Sequence, residues 1–329
     1  MKQEKFLLLV LKRGLYALAV LVMMVCFVFI LLRIAPGDPT LRFVSPQLSP
    51  ELAQRIRESF GLNKSLPEQF IQFAANIFSG NFGVSYNFRL PVTEVLRAHI
   101  PFTIIFALTC FVIQLGSGYF LALLSIKKPN GFIDKTLGRT SLVFYALPSF
   151  FTGVFLILIF SEKLKLLPAS GMSSFGAESM PFAERAGDYI LHMILPVVTL
   201  SLGGMAVFYK YLRDNLDEIL NKQFVITLKG YGLTDREIIK KHVIPNALSP
   251  LISVAGVELG VLFSGALITE VIFGLPGMGS LTVNAILTRD YPLVVGCTFI
   301  SGLLIIISNL LADLLKACID KRTFRELLN

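Results

Sequence analysis

The feature that most constrains this chain is a series of apolar runs longer than a soluble core of this size accommodates. Residues 15–32 carry no charge and follow Lys12 and Arg13. As a helix of 18 residues this run spans about 27 Å, close to the hydrocarbon thickness of a bilayer. Five more runs follow: 100–126, 140–161, 189–209, 243–269, interrupted only by Glu258, and 291–312. Lipid offers the backbone no hydrogen-bond partner, so each run is predicted to be a helix. A hydrophobic content of 54% and a mean hydropathy of +0.70 place the chain in the same class. A signal peptide competes for the first run. Its apolar core would be shorter, and RIAPGDP after the run lacks a small-x-small cleavage site, so a retained span is expected. The reading is an all-α membrane protein with six transmembrane helices.

Lysines and arginines orient it. Lys2, Lys5, Lys12 and Arg13 lie at or before the first run. Lys127, Lys128, Lys135 and Arg139 lie between the second and third, and seven basic residues from Lys210 to Lys241 between the fourth and fifth. Lys316, Lys321, Arg322 and Arg325 follow the sixth. The opposite side is poor in them outside its long first connection. The positive-inside rule then predicts cytoplasmic N- and C-termini and a cytoplasmic stretch 210–245. That distribution accounts for the net charge of +8 without a nucleic-acid partner. Three parts are expected: 1–33, the N-terminus and first span; 34–99, an extracytoplasmic helical segment; and 100–329, five helices with the stretch 210–245. Within 34–99, Ser49-Pro50-Glu51 reads as a helix start. Residues 67–78 group Phe70, Phe73, Ala74, Ile77 and Phe78, and residues 91–100 group Val92, Val95, Leu96 and Ile100. Gly80 and Gly83 mark turns between short helices. Residues 271–281, with Gly274, Pro276, Gly277 and Gly279, read as a tight non-helical re-entry.

The most mixed stretch is 224–250. Thr234 and Glu237 have the spacing of a capping box. Ile238, Ile239, His242 and Val243 then share one face, opposite Arg236, Glu237, Lys240 and Lys241. Upstream, Phe224, Leu228 and Tyr231 repeat at helical spacing, and Gly230 and Gly232 separate the two segments. Pro245 ends the second helix or opens a new one. The prediction is helix, glycine turn, helix, with one apolar and one basic side. From the residues alone it is either an amphipathic linker on the membrane or a segment that docks into another protein.

Chemistry is sparse. Cys26, Cys110, Cys297 and Cys318 lie within or at the ends of apolar runs and form no C-x-x-C pair, which points to small buried hydrophobes rather than a disulfide or metal site. His99, His192 and His242 are far apart. No Gly-Lys dipeptide occurs, so no phosphate-binding P-loop is expected. No catalytic cluster and no metal site is predicted. Glu258 falls near mid-membrane, at a cost of about 2.5–3.5 kcal/mol if charged. Two readings stay open for it, and for Gln114: a neutral group hydrogen-bonded between helices, or a group lining a pathway. Gly256-x-x-x-Gly260 reads as close helix packing.

The stretch 224–250 resembles the EAA loop of ABC-importer membrane subunits. Gly232, nine residues, and then His242-Val243-Ile244-Pro245 follow that spacing. The name-giving positions hold Ile226, Thr227 and Leu228, a departure shared with the peptide and nickel permease branch, whose Arg-Thr-Ala pattern only Thr227 matches. RIAPGDP (33–39), ALPSF (146–150) with LLPASG (166–171), and TEVIFGLPGMG (269–279) followed by RDYP (289–292) resemble motifs of the oligopeptide, dipeptide and nickel permease family, first-subunit type. The usual C-terminal Asp-Pro-Arg is Asp320, Lys321 and Arg322 here.

The resemblance implies a permease subunit of a binding-protein-dependent importer in a bacterial inner membrane, with peptides as cargo; nickel and glutathione are alternatives within the family. It implies a homologous second permease, an extracytoplasmic substrate-binding protein, and two ABC ATPase subunits. Those subunits, not this chain, would bind ATP and magnesium; no cofactor is expected here. It places Thr227, Leu228, Gly232, Thr234, Arg236 and Pro245 at the coupling contact with the ATPases. A self-contained ion-coupled transporter or channel is the competing class. It would call for internal repeats and several membrane-embedded acids, which the sequence lacks.

Overall fold

The computed structural model describes residues 2–34, 65–264 and 266–319. The expected helix start at Ser49, most of the RIAPGDP motif, and Asp320 to Arg322 lie outside the described residues. Those described form helices, with one isolated β-bridge, Val84 to Pro91.

The first span is α1, Lys2–Ile34. The predicted outer helix is α2, Leu66–Phe78, opened by a capping box between Ser65 and Glu68. Its face packs as expected: Ile77 is buried, and Phe70, Phe73 and Ala74 join Val25 of α1 and Val295 in one cluster. Phe78 stays half-exposed. Gly80 and Gly83 both take positive φ and turn the chain.

The short helix expected at 91–100 is not separate. It is the first part of α3, Val92–Ile126, which passes through Pro101 without ending. Pro101 lies in the third turn, where it forgoes the hydrogen bond to the Arg97 carbonyl; the packing of Val92, Val95 and Leu96 into a buried cluster holds the turns before it in line.

The third span differs most from expectation. It starts at α4, Phe132–Ala146, breaks, and resumes as α5, Ser149–Leu156, continued by a π-helix over Ile157–Lys163. The two pieces are bent by 102°. Leu147, at φ −76° and ψ 126°, is extended, because Pro148 bars the α region to the residue before it. The ALPSF motif is therefore a break inside a span.

The fourth span is α6, Phe182–Leu220, about 58 Å at 39 residues. It runs well past the apolar limit at 209. The residues that follow are polar but helix-compatible: Lys210 pairs with Asp214, Arg213 with Asp217, and Lys222 with Glu218, each at i,i+4. After it come α7, Gln223–Gly230, and α8, Asp235–Ile238. A π-turn, Ile239–Val243, leads into α9, Ile244–Phe263, whose second residue is Pro245. So Pro245 opens the fifth span. It has no N–H to donate, and the helix widens just before it. The expected re-entry at 271–281 is mostly helical: α10 covers Leu267–Ile272 and α11 Met278–Leu287, leaving only 273–277 irregular. The last span is α12, Tyr291–Ile319.

Five helices among the described residues are long and apolar enough to cross a membrane, and the bent pair makes six if it is one span. α3 lies along α6 and α9 along α12, and α9 also meets both α3 and α6. The Gly256 and Gly260 pair works as predicted. A Cβ on Gly256 would sit 2.2 Å from the Ala312 Cβ, and one on Gly260 would be 3.4 Å from Ile305, so the backbones of α9 and α12 are drawn close.

Candidate functional site

Residues 223–245 form an elbow between the fourth and fifth spans. Thr234 caps α8: its Oγ1 accepts the Glu237 N–H, and the Glu237 carboxyl accepts the N–H and hydroxyl of Thr234. Gly232 has φ +82°, a left-handed conformation that needs glycine. Its N–H donates to the Lys229 carbonyl, and Leu233 N–H to that of Leu228. Lys229 Nζ lies 2.9 Å from Asp235, closing the elbow across the turn.

The elbow has a core within its own chain. Ile238 and Val243 are fully buried, with Ile239 beside them, against Leu212, Leu216 and Ile219 of the α6 extension. The apolar face of α8 is therefore covered by the chain itself, by neither the membrane nor a partner. The packing corrects the face assigned to α7. Val225 is the buried residue, with Leu228 partly buried beside it. Phe224, Ile226 and Tyr231 are exposed, Tyr231 by 79%. The spacing of the large side chains points to one face, whereas tertiary packing in the cluster with Leu216 and Ile219 selects the neighbouring residue. Of the six predicted contact residues, Thr227, Gly232, Thr234, Arg236 and Pro245 are exposed and Leu228 is partly buried. The outward surface therefore combines Phe224, Ile226 and Tyr231 with Thr227, Thr234 and Arg236.

The base of the elbow is braced by a polar network. Arg213 of α6 donates to Asp134 of α4 from Nε and Nη2, at 3.0 and 2.9 Å, a bidentate pair in a largely buried setting. Next to it Tyr209 and Ser125 share a hydrogen bond of 2.8 Å, joining α6 to α3.

The two residues proposed from sequence for a pathway sit in different surroundings. Gln114 is 2% exposed, and its Nε2 donates to the Leu200 carbonyl of α6 at 3.1 Å. A Cβ on Gly204 would collide with it. Gln114 thus sits between packed helices in this conformation. Glu258 is half-buried on α9 beside exposed Val257 and Val261. Cys110 and Cys297 are buried, as expected of small hydrophobes, whereas Cys26 is half-buried. Among the described residues no group of His, Cys, Asp or Glu could hold a metal ion.

Two acids that the sequence reading passed over lie at the end of the bundle away from the elbow. Asp290, of the RDYP motif, is fully buried and accepts from Ser85 Oγ at 2.5 Å, Asn87 N–H at 3.0 Å and Leu293 N–H at 3.3 Å. It ties the hairpin 84–91 to the start of α12. Glu270 is also fully buried, and its Oε2 accepts the Ser280 N–H at 2.9 Å. Its signal was an acid directly before a glycine-rich turn that is followed by a helix.

Residues 114–325 match the family model described as binding-protein-dependent transport system inner membrane component, and residues 6–107 match the model for its N-terminal part. A probable peptide ABC transporter permease protein, y4tP, of Sinorhizobium fredii is 33% identical over 314 residues, covering 95% of this chain and 98% of that one. The oligopeptide transport system permease protein AppB of Bacillus subtilis is 31% identical with the same coverage. The dipeptide transport system permease protein DppB of Lactococcus lactis is 27% identical, again over 95% of this chain. Among solved structures, an inward-facing form of the MetNI methionine ABC transporter covers 71% of this chain, and 97% of that one is matched, at a TM-score of 0.50 and 15% identity, a likeness of fold alone. With both models matching and the relatives aligned nearly end to end, the chain belongs to the family of binding-protein-dependent transport system inner membrane components and is a multi-pass permease subunit of an ABC importer, a kind of protein that works with ATPase and other transporter partners.

Proposed function

We propose that this permease imports peptides and is driven through the elbow at 223–245. The reading is supported by the peptide permeases among its relatives. The observation that carries it is the elbow itself: a self-braced projection that leaves Phe224, Ile226 and Tyr231 exposed beside Thr227, Thr234 and Arg236. An apolar patch rimmed by polar groups fits a groove on a partner.

In this reading a homologous second permease completes the pathway, and an extracytoplasmic substrate-binding protein delivers the peptide. Two ABC ATPase subunits bind ATP and magnesium; this chain binds no cofactor and performs no hydrolysis. Both termini and the elbow lie in the cytoplasm. Closure of the ATPases moves α8, and Pro245 passes the motion into α9, so the pathway alternates between the two sides.

The test is a cysteine at Thr234. In the assembled complex the Thr234→Cys variant is expected to cross-link to an ATPase subunit, whereas a cysteine at Ser79, in the turn after α2, is not. Cross-linking from Ser79 but not from Thr234 overturns the docking assignment. Competition of labelled peptide uptake by unlabelled dipeptide, and not by nickel, is the expected cargo result.

A further inference from the structure

Glu270 is a buried acid that the importer mechanism above does not use. It is 0% exposed, on α10 at the end of the fifth span away from the elbow. Its Oε2 accepts the Ser280 N–H at 2.9 Å, and the Gly279 N–H also donates to the carboxyl. Both N–H groups belong to the first turn of α11, where backbone donors have no partner within the helix. The usual capping position, Gly277, has no side chain to supply one. The cap comes instead from the preceding helix, seven residues upstream of Gly277.

The fit is tight. A Cβ on Gly277 would lie 2.4 Å from the Glu270 carboxyl, and one on Gly279 2.7 Å from Oε2. The other oxygen, Oε1, is enclosed without a hydrogen-bond partner. Burying such an atom is costly, so the carboxyl is positioned for α11 and not for its own solvation. The turn it spans is tied outward on both sides. Met278 N–H donates to Thr103 Oγ1 of α3 at 2.7 Å, and Gly171 N–H to the Phe273 carbonyl at 2.8 Å. Leu275 N–H returns to the Glu270 carbonyl at 2.8 Å.

We propose that Glu270 is a positioning residue for transport, fastening the fifth span to the turn 273–277 and to α11, so that motion entering the span at the elbow reaches the opposite mouth of the pathway. The proposal rests on the importer reading. Without Glu270 the ATPases still turn over, but the far mouth no longer follows them.

The complete transporter in proteoliposomes, with its ATPases, second permease and binding protein, tests this by measuring uptake and ATP hydrolysis together. Glu270→Ala is expected to lower uptake about tenfold while hydrolysis stays within about twofold, so uptake per ATP falls. Glu270→Gln keeps an oxygen for Ser280 and is expected to restore much of that ratio. Gly277→Ala, which leaves Glu270 in place but displaces its carboxyl, is expected to uncouple as Glu270→Ala does. An unchanged ratio in Glu270→Ala or Gly277→Ala, or a proportional fall in uptake and hydrolysis, overturns the role. If the unaltered complex shows no ATP-dependent uptake, the importer reading falls and this role with it. A failure confined to the variants removes the Glu270 role alone.

Discussion

At the scale of single residues, Gly232 has the clearest consequence. Its φ of +82° is closed to β-branched side chains, while the space around its Cα is open. A Cβ there meets no other part of the protein; the cost is local backbone strain of about 1–2 kcal/mol, concentrated in the turn that sets the angle between α7 and α8. Gly232→Val is therefore expected to insert and accumulate normally and to abolish uptake. Wild-type uptake, measured beside the amount of protein in the membrane, counts against the coupling role. The capping box at Thr234 was legible because everything it needs lies within four consecutive residues. Glu270 was not, because its partners are the N–H groups of Gly279 and Ser280, across a turn whose path no local pattern reveals. Asp290 escaped for the same reason: Ser85 and Asn87 meet it from two hundred positions earlier.

At the scale of elements, the apolar runs were legible and their ends were not. Composition alone ends the fourth span where charges begin, at Lys210. Charges paired at i,i+4 do not stop a helix, so α6 continues to Leu220 and becomes the strut on which the elbow rests. Conversely, the uncharged run 140–161 reads as one helix, although Pro148 within it forces Leu147 out of the α region. The strut depends on its brace. Arg213 and Asp134 are 14% and 11% exposed, and removing the cation leaves a carboxylate largely buried without its partner. Arg213→Ala is expected to destabilise the protein by about 3 kcal/mol, seen as a lower midpoint of thermal unfolding in detergent. Arg213→Lys, which cannot form the two-pronged contact, is expected to fall between. Equal midpoints for all three proteins would show that the pair does not hold α4 to α6.

At the scale of the whole molecule, the two ends of the bundle are built differently. One carries the elbow, with its exposed apolar patch and a self-contained core. The other is fastened by two buried acids, Glu270 and Asp290, whose carboxyls cap the starts of α11 and α12, with the hairpin 84–91 drawn against it. The fifth span begins at the first and ends at the second. Such a molecule is arranged to receive a displacement at one end and deliver it at the other. The most direct test is the uptake of labelled peptide by proteoliposomes carrying the reconstituted complex. The account predicts uptake that requires both the ATPase subunits and ATP, and that is lost with Gly232→Val while the ATPases remain. Uptake by this chain in liposomes without any ATPase would contradict it.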